Sequence, residues 1–203
     1  MKIGPKYKIA RRLGAAVFEK TQTAKFSLNM EKKSKNLRPK KRNSSVFGQQ
    51  LLEKQKARFT YCVTEKQFKN YVKKVIETSK TNQSDLLYKT LEKRLDNVVL
   101  RAGFAKTRPL ARQMVSHGHF TVNGTRVNIP SYAVKKGDKI AVREGSKAKT
   151  LFLETEKSLN EAGSFSWLKV NAKDLSVEIT GDAVYAPQEL HFDLNSVMEY
   201  YKK

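Results

Sequence analysis

The chain has one cysteine, Cys62, among 203 residues. A single thiol excludes an internal disulfide and any cysteine-rich zinc site, and it suits a reducing compartment. Long apolar runs are missing as well. Nothing approaches the roughly 20 residues that a membrane-spanning helix needs. The opening MKIGPKYKIARRLG has no apolar stretch of the secretory kind, so no export signal is expected there. Catalytic signatures are absent too: no P-loop, no dinucleotide fingerprint, no G-x-S-x-G and no His/Cys metal spacing. His117 and His119 flank Gly118, but two histidines without further ligands make a poor zinc site. No enzyme activity, cofactor or metal is expected.

Acidic residues are scarce. There are 19 Asp and Glu against 41 Lys and Arg, a net charge of +22. That excess predicts a polyanionic partner, with nucleic acid first among them. It is also uneven: residues 1–91 carry +17, residues 92–149 carry +9, and residues 150–203 carry −4. The first two thirds should therefore build the nucleic-acid face.

The stretch Leu91 to Val142 organises the rest. Leu87, Leu91, Leu95, Val98 and Val99 fall three or four apart and predict one helix face. Gly103 is placed for a left-handed helix end. Thr107 then offers an N-cap, with Pro109 in the first turn of a second helix that stops near Ser116 or His117. Met114 and Val115 can face inward. Arg108 and Arg112, four apart, share another face, where their guanidinium forks suit phosphate oxygens. Phe120 and Val122 point one way along a strand and Thr121 the other. Asn123-Gly124 signals a type I′ hairpin. Lys136-Gly137-Asp138 reads as a further turn before the strand of Ile140 and Val142.

These residues carry a resemblance. Arg94-Leu95-Asp96-Asn97-Val98-Val99, Gly103-Phe104-Ala105, Thr107-Arg108, Ala111-Arg112-Gln113, Ser116-His117-Gly118-His119, Val122-Asn123-Gly124 and Val127 to Tyr132 (VNIPSY) closely resemble the RNA-binding domain of the small-subunit ribosomal protein four family. Upstream, Phe47-Gly48 and Leu52 to Arg58 resemble a second segment of that family, usually ending in Tyr-Gly-Val. Here it ends Tyr61-Cys62-Val63, with Cys62 at the glycine's place, so a strained turn is expected. Many members of the family bind zinc through N-terminal cysteines. None precedes Cys62 here, so the N-terminal part is expected to be held by RNA and packing.

The remaining chain reads as follows. Ile9, Leu13, Val17 and Phe18 allow a turn or two of helix. Glu31 to Ser45, EKKSKNLRPKKRNSS, has almost nothing to bury and predicts an extended arm that orders on RNA. Leu51, Leu52 and Phe59 form a rough apolar stripe, with Lys54, Lys56 and Arg58 off it. Thr64 and Gln67 make a capping box before an amphipathic helix built on Phe68, Tyr71, Val72, Val75 and Ile76. Thr150 to Leu153 extends a strand. Phe165, Trp167, Leu168 and Val170 form a packed segment, and Leu175, Val177 and Ile179 alternate as a strand. Leu194 to Tyr201 forms a short helix.

The expected fold is α+β: an N-terminal all-α domain with a basic extended arm, and an inserted small domain of two helices on an antiparallel sheet. The boundaries are 1–46 for the arm, 47–90 for the helical domain, 91–154 for the RNA-binding domain and 155–192 for its β-rich extension. The resemblance implies that a C-terminal helix, 193–203, completes the helical domain.

Candidate RNA contacts are Arg11, Arg12, Lys40, Lys41 and Arg42 in the arm, and Lys54, Lys56, Arg58 and Lys73 in the helical domain. In the central module they are Arg94, Arg101, Lys106, Thr107, Arg108, Arg112, Gln113, Ser116, His117, His119, Asn123, Arg126 and Tyr132. The resemblance implies 16S-type rRNA as partner, an early role in assembly of the subunit body, an influence on decoding accuracy, and a place in the small subunit of a cytoplasmic or organelle ribosome. Protein five is the implied neighbour, with proteins three and twelve and the incoming mRNA nearby, and no membrane. A free-standing RNA chaperone is the alternative. Arg94-Leu95-Asp96 also resembles the element around the catalytic aspartate of pseudouridine synthases, but the length leaves no room for a catalytic domain. On this reading Asp96 lies on the helix surface.

Overall fold

The computed structural model describes residues 3–36, 45–152, 155, 159 and 165–202. The chain forms two compact units, Met1–Leu87 with Ala186–Lys203, and Tyr88–Tyr185.

The first unit is helical. Helix α1 (Lys6–Leu13) ends at Gly14, whose φ of 67° lets its N–H turn back to the carbonyls of Ala10 and Arg11. Helix α2 (Ala24–Asn36) follows a 3₁₀ turn. Ala10, Leu13, Val17, Phe18, Phe26 and Phe59 form one buried cluster, and Met30 packs against it. Phe26 and Met30 lie one turn apart on α2, which fixes that helix and carries it to Asn36. The expectation of extended chain from Glu31 is therefore corrected over residues 31–36, which are helical. Lys40, Lys41 and Arg42 lie outside the described residues.

Helix α3 (Val46–Thr60) ends at Tyr61, and Cys62 then takes φ 52°. The Val63 N–H reaches the Arg58 carbonyl at 3.2 Å, closing the turn. The strained turn expected here is a left-handed one made by a residue with a Cβ, at a cost of about 1–2 kcal/mol. The Thr64–Gln67 capping box forms at the start of α4 (Glu65–Thr78), which buries Phe68, Val72 and Val75.

The predicted α3 stripe is wrong in part. Phe59 is buried as expected, but Leu52 is exposed, while Gln50, Lys54 and Ala57 are buried. The C-terminal helix, called α9 below (Leu194–Lys202), packs on α3 partly through polar partners, which accounts for the burial of Gln50 and Lys54. Gln50 Nε2 donates to Glu199 at 2.9 Å, and Glu53 accepts from the Asp193 N–H at 2.9 Å. The rings of Phe47 and Tyr200 lie 5.3 Å apart. Asp193 starts α9 by accepting from the N–H groups of Asn195 and Ser196.

Helix α5 (Gln83–Glu92) contains the boundary between the units. In the second unit, α6 (Leu95–Arg101) and α7 (Arg108–Ser116) pack on each other. Thr107 caps α7 by accepting from the Leu110 N–H, and Gly103 takes φ 91° in the break before it. Five strands form one antiparallel sheet in the order β2-β1-β3-β5-β4. They are β1 (Phe120–Val122), β2 (Thr125–Val127), β3 (Lys139–Val142), β4 (Leu168–Asn171) and β5 (Ser176–Ile179). A short helix α8 (Glu144–Lys147) follows β3. The register aligns Val122 with Ile140, and Ile140 with Val177, so one face of the sheet is continuously apolar. Phe104 and Phe152 each meet Phe120 edge-on.

Three local expectations change. Thr150–Phe152 is a 3₁₀ turn rather than strand, and it inserts Phe152 among these rings. Leu175 belongs to the β4–β5 turn, at φ 49°, and Ser176 takes the buried position beside Val177. Asp96 is buried, at 6% exposure, rather than on the surface. Trp167 is buried with the core. Among the described residues, no helix is long and apolar enough to cross a membrane.

Candidate nucleic-acid interface

The N-terminus of α6 is set by the VNIPSY segment. Leu95 and Asp96 donate their N–H groups to the carbonyls of Tyr132 and Pro130, at 2.9 and 3.2 Å. That satisfies two donors which a helix start otherwise leaves open. The same turn bends Arg94 onto Asp96. Its Nε reaches Oδ1 at 3.0 Å and a terminal nitrogen reaches Oδ2 at 2.5 Å, with both side chains buried.

A second network lies beside it. The Glu92 carboxylate is buried and accepts from three sides. Asn97 Nδ2 donates at 2.7 Å, and Arg101 donates through Nε and a terminal nitrogen, both at 3.0 Å. The Arg101 guanidinium also sits 5.0 Å from the centre of the Phe165 ring. Asn97 then uses its oxygen to accept from Arg108 Nε at 3.1 Å. A buried carboxylate on α5 thereby orients an arginine at the start of α7.

Beyond α7 the charge density rises. Arg126 donates to the His117 carbonyl at 3.3 Å, and its guanidinium covers Gly118 so closely that a Cβ there would collide with it. Gly118 also takes φ 68°. His119 is buried, with Nδ1 3.0 Å from the Ser146 hydroxyl and its ring edge-on to Phe152. Burial pushes its pKa down, and the charges of Lys149, His117, Arg143 and Arg126 push it the same way. Arg143 Nε is buried without a hydrogen-bond partner among the described residues.

The candidate contacts thus divide. Lys106, Gln113, Ser116, His117 and Arg126 are exposed, and Arg101, Thr107, Arg108, Arg112 and Tyr132 are half-buried. In the first unit, Arg11, Arg12 and Lys73 are exposed. Three candidates are turned inward instead. Arg94 is held by Asp96 and His119 by Ser146. Lys54 bonds Glu65 at 2.7 Å beneath the Tyr200 ring. The charges of Arg94 and Lys54 are thus paired within the chain, and the His119 ring is committed to an internal partner. Arg58 lies over the Phe59 ring and bonds Gln55, and Lys56 pairs with Glu53. The Asn123 amide is occupied in the hairpin, donating to Asp138 and accepting from the Lys139 N–H.

Residues missed from the sequence are Glu92 and Asn97, which aim the arginines, and Arg143 and Lys149, which lie close to His119. No periodicity marks them, because their partners come from other elements. Among the described residues, no three His, Cys, Asp or Glu side chains come together to hold a metal ion.

Residues 93–140 match the family model described as the S4 domain, and residues 1–92 match that of the ribosomal protein S4/S9 N-terminal domain. The class is therefore that of S4-domain proteins. The small ribosomal subunit protein uS4 of Roseiflexus castenholzii is 41% identical, covering 99% of this chain and 98% of the relative. Those of Elusimicrobium minutum and a Janthinobacterium species are 40% and 41% identical over the same shares. The chain belongs to the small ribosomal subunit protein uS4 family.

Proposed function

We propose that this protein is a structural component of the small ribosomal subunit that binds the subunit's rRNA directly. The observation that carries this reading is the match to uS4 relatives along 99% of the chain, which spans both the helical unit and the S4 module. The chemistry agrees with it. A net charge of +22 favours release of condensed counterions from RNA. Rigidly supported arginines suit the shape of a folded junction better than they suit base reading in a deep A-form groove. The exposed and half-buried contacts, with Arg108, Arg112 and Arg126 at their centre, are the proposed phosphate partners. Arg143, half-buried beside His119, joins them.

The finer role is an early one. The protein binds where several 16S-type rRNA helices meet, helps nucleate the subunit body and contributes to decoding accuracy. Protein five is its proposed neighbour, with proteins three and twelve and the incoming mRNA close by. No catalytic step is assigned to any residue. Sucrose-gradient fractionation at high salt tests the reading. Stoichiometric retention in small subunits is expected. Transient or substoichiometric association identifies a free-standing RNA-binding factor instead.

A further inference from the structure

A groove of about 530 Å³ opens on the N-terminal helices, within the size range of small-ligand sites. Helix α1 contributes Tyr7 and Arg11; α2 contributes Lys25, Phe26, Asn29 and Met30. Its wall is aromatic: the Tyr7 and Phe26 rings lie 5.8 Å apart at 47°. Phe26 is buried in the cluster beneath, whereas Tyr7 is 48% exposed. A phenol left half in water on a small helical unit is open to a further stacking partner. Arg11 lines the groove and is braced there, since its Nε donates to the Tyr7 carbonyl at 3.2 Å. Lys25 adds a second positive charge, and no carboxylate lines the groove among the described residues. Asn29 supplies an amide, a donor and an acceptor side by side.

The occupant has to be flat and partly apolar, to carry negative charge, and to present a hydrogen-bonding edge. An unpaired nucleotide satisfies all four requirements. Its base stacks on the Tyr7 ring, its phosphate meets Arg11 and Lys25, and the edge of the base faces Asn29. We infer that the α1–α2 groove receives one unstacked nucleotide of the bound RNA. This rests on the rRNA-binding reading above, and it adds a base-stacking contact to one otherwise made of phosphates.

The test compares binding of the full chain and its variants to a small-subunit rRNA fragment. Tyr7→Ala is expected to bind about five- to a hundredfold more weakly with an unchanged salt slope, because stacking is not ionic. Tyr7→Phe should restore affinity, and Arg11→Ala should lower the slope by about one contact. Equal binding by wild type and Tyr7→Ala overturns the inference while leaving the rRNA-binding reading intact. Failure of the wild type to bind the fragment removes that reading, and the groove's role with it. Ultraviolet cross-linking of the wild-type complex, followed by peptide mass spectrometry, does not depend on the variants folding. A mononucleotide adduct on Tyr7 or Phe26 supports the inference. Adducts confined to other peptides at saturating RNA overturn it.

Discussion

Asn97 accepts a hydrogen bond from Arg108 Nε at 3.1 Å while donating its own amide to the buried Glu92 carboxylate at 2.7 Å. If Asn97 acts on RNA through Arg108, the two substitutions should not add. Asn97→Ala alone is expected to weaken binding to a small-subunit rRNA fragment several-fold. In an Arg108→Ala background it should cost nothing further, a coupling that a double-mutant cycle measures directly. Additive losses would mean that Asn97 only supports the fold.

Arg108 and Arg112 stand one turn apart on α7. If roughly eight phosphates are contacted, affinity should fall with salt at a log–log slope of about −6 to −7. Changing both arginines to alanine should reduce that slope by about 1.5 to 2 as well as weakening binding. A salt titration of both proteins on one RNA decides the point; an unmoved slope shows that this face is not the contact surface.

The Arg94–Asp96 pair is buried on both sides. Removing one member leaves the other charge uncompensated. Asp96→Ala is therefore expected to lower stability by about 3–5 kcal/mol in urea unfolding. The loss should appear without RNA, which separates it from the effect of the α7 arginines.

His119 gives stability a pH dependence of known sign. Its pKa in the folded chain lies below the ordinary 6.5, because burial and then neighbouring cations disfavour the charged form. The unfolded chain therefore takes up the proton first as pH falls. Stability should be full above about 6.5, decline below it, and level off once His119 itself protonates in the folded state. His119→Gln should flatten this part of the profile, measured as urea midpoints between about pH 7.5 and 5.

Glu65 ties α9 to α3 and α4. Its carboxylate accepts from Lys54 Nζ at 2.7 Å and from the Tyr201 hydroxyl at 3.0 Å. Burial alone would raise its pKa, but these bonds and the charges of Lys54 and Arg58 hold it below the ordinary 4.5. Its contribution is thus complete above pH 4.5 and fades as pH falls through the lowered value. Tyr201→Phe, which keeps the ring against Phe68, should cost about 1 kcal/mol at neutral pH. The same substitution should cost little once Glu65 is protonated, and thermal melts at two pH values check both arms.

The legible features were those set by chemistry within a few residues. The Thr64–Gln67 box, the Thr107 cap, the turn at Gly103 and the Asn123-Gly124 hairpin each rest on side chains beside the backbone they serve. What escaped was decided by distant partners. Lys54 looked like a surface lysine because Glu65 lies 11 residues further on and Tyr200 sits near the other end of the chain. His119 meets Ser146 across 27 residues. Arg94 and Asp96 are only two apart, yet their pairing requires the helix start that Tyr132 and Pro130 hold. The family model of the S4 domain covers residues 93–140, within the stretch that carried the resemblance, but a half-exposed arginine and one buried against its own helix read alike in sequence.

The first unit is closed by residues more than a hundred positions beyond the helices they hold. Helices α3 and α4 gain the bonds of Glu53, Gln50 and Glu65 to Asp193, Glu199 and Tyr201 only once those residues are made, while all five strands of the sheet lie between Tyr88 and Tyr185. During biosynthesis the central module can therefore mature first. The helical unit stays unfinished until residues 193–201 are in place, and a chain cut before Asp193 would lose the clasp while keeping the sheet.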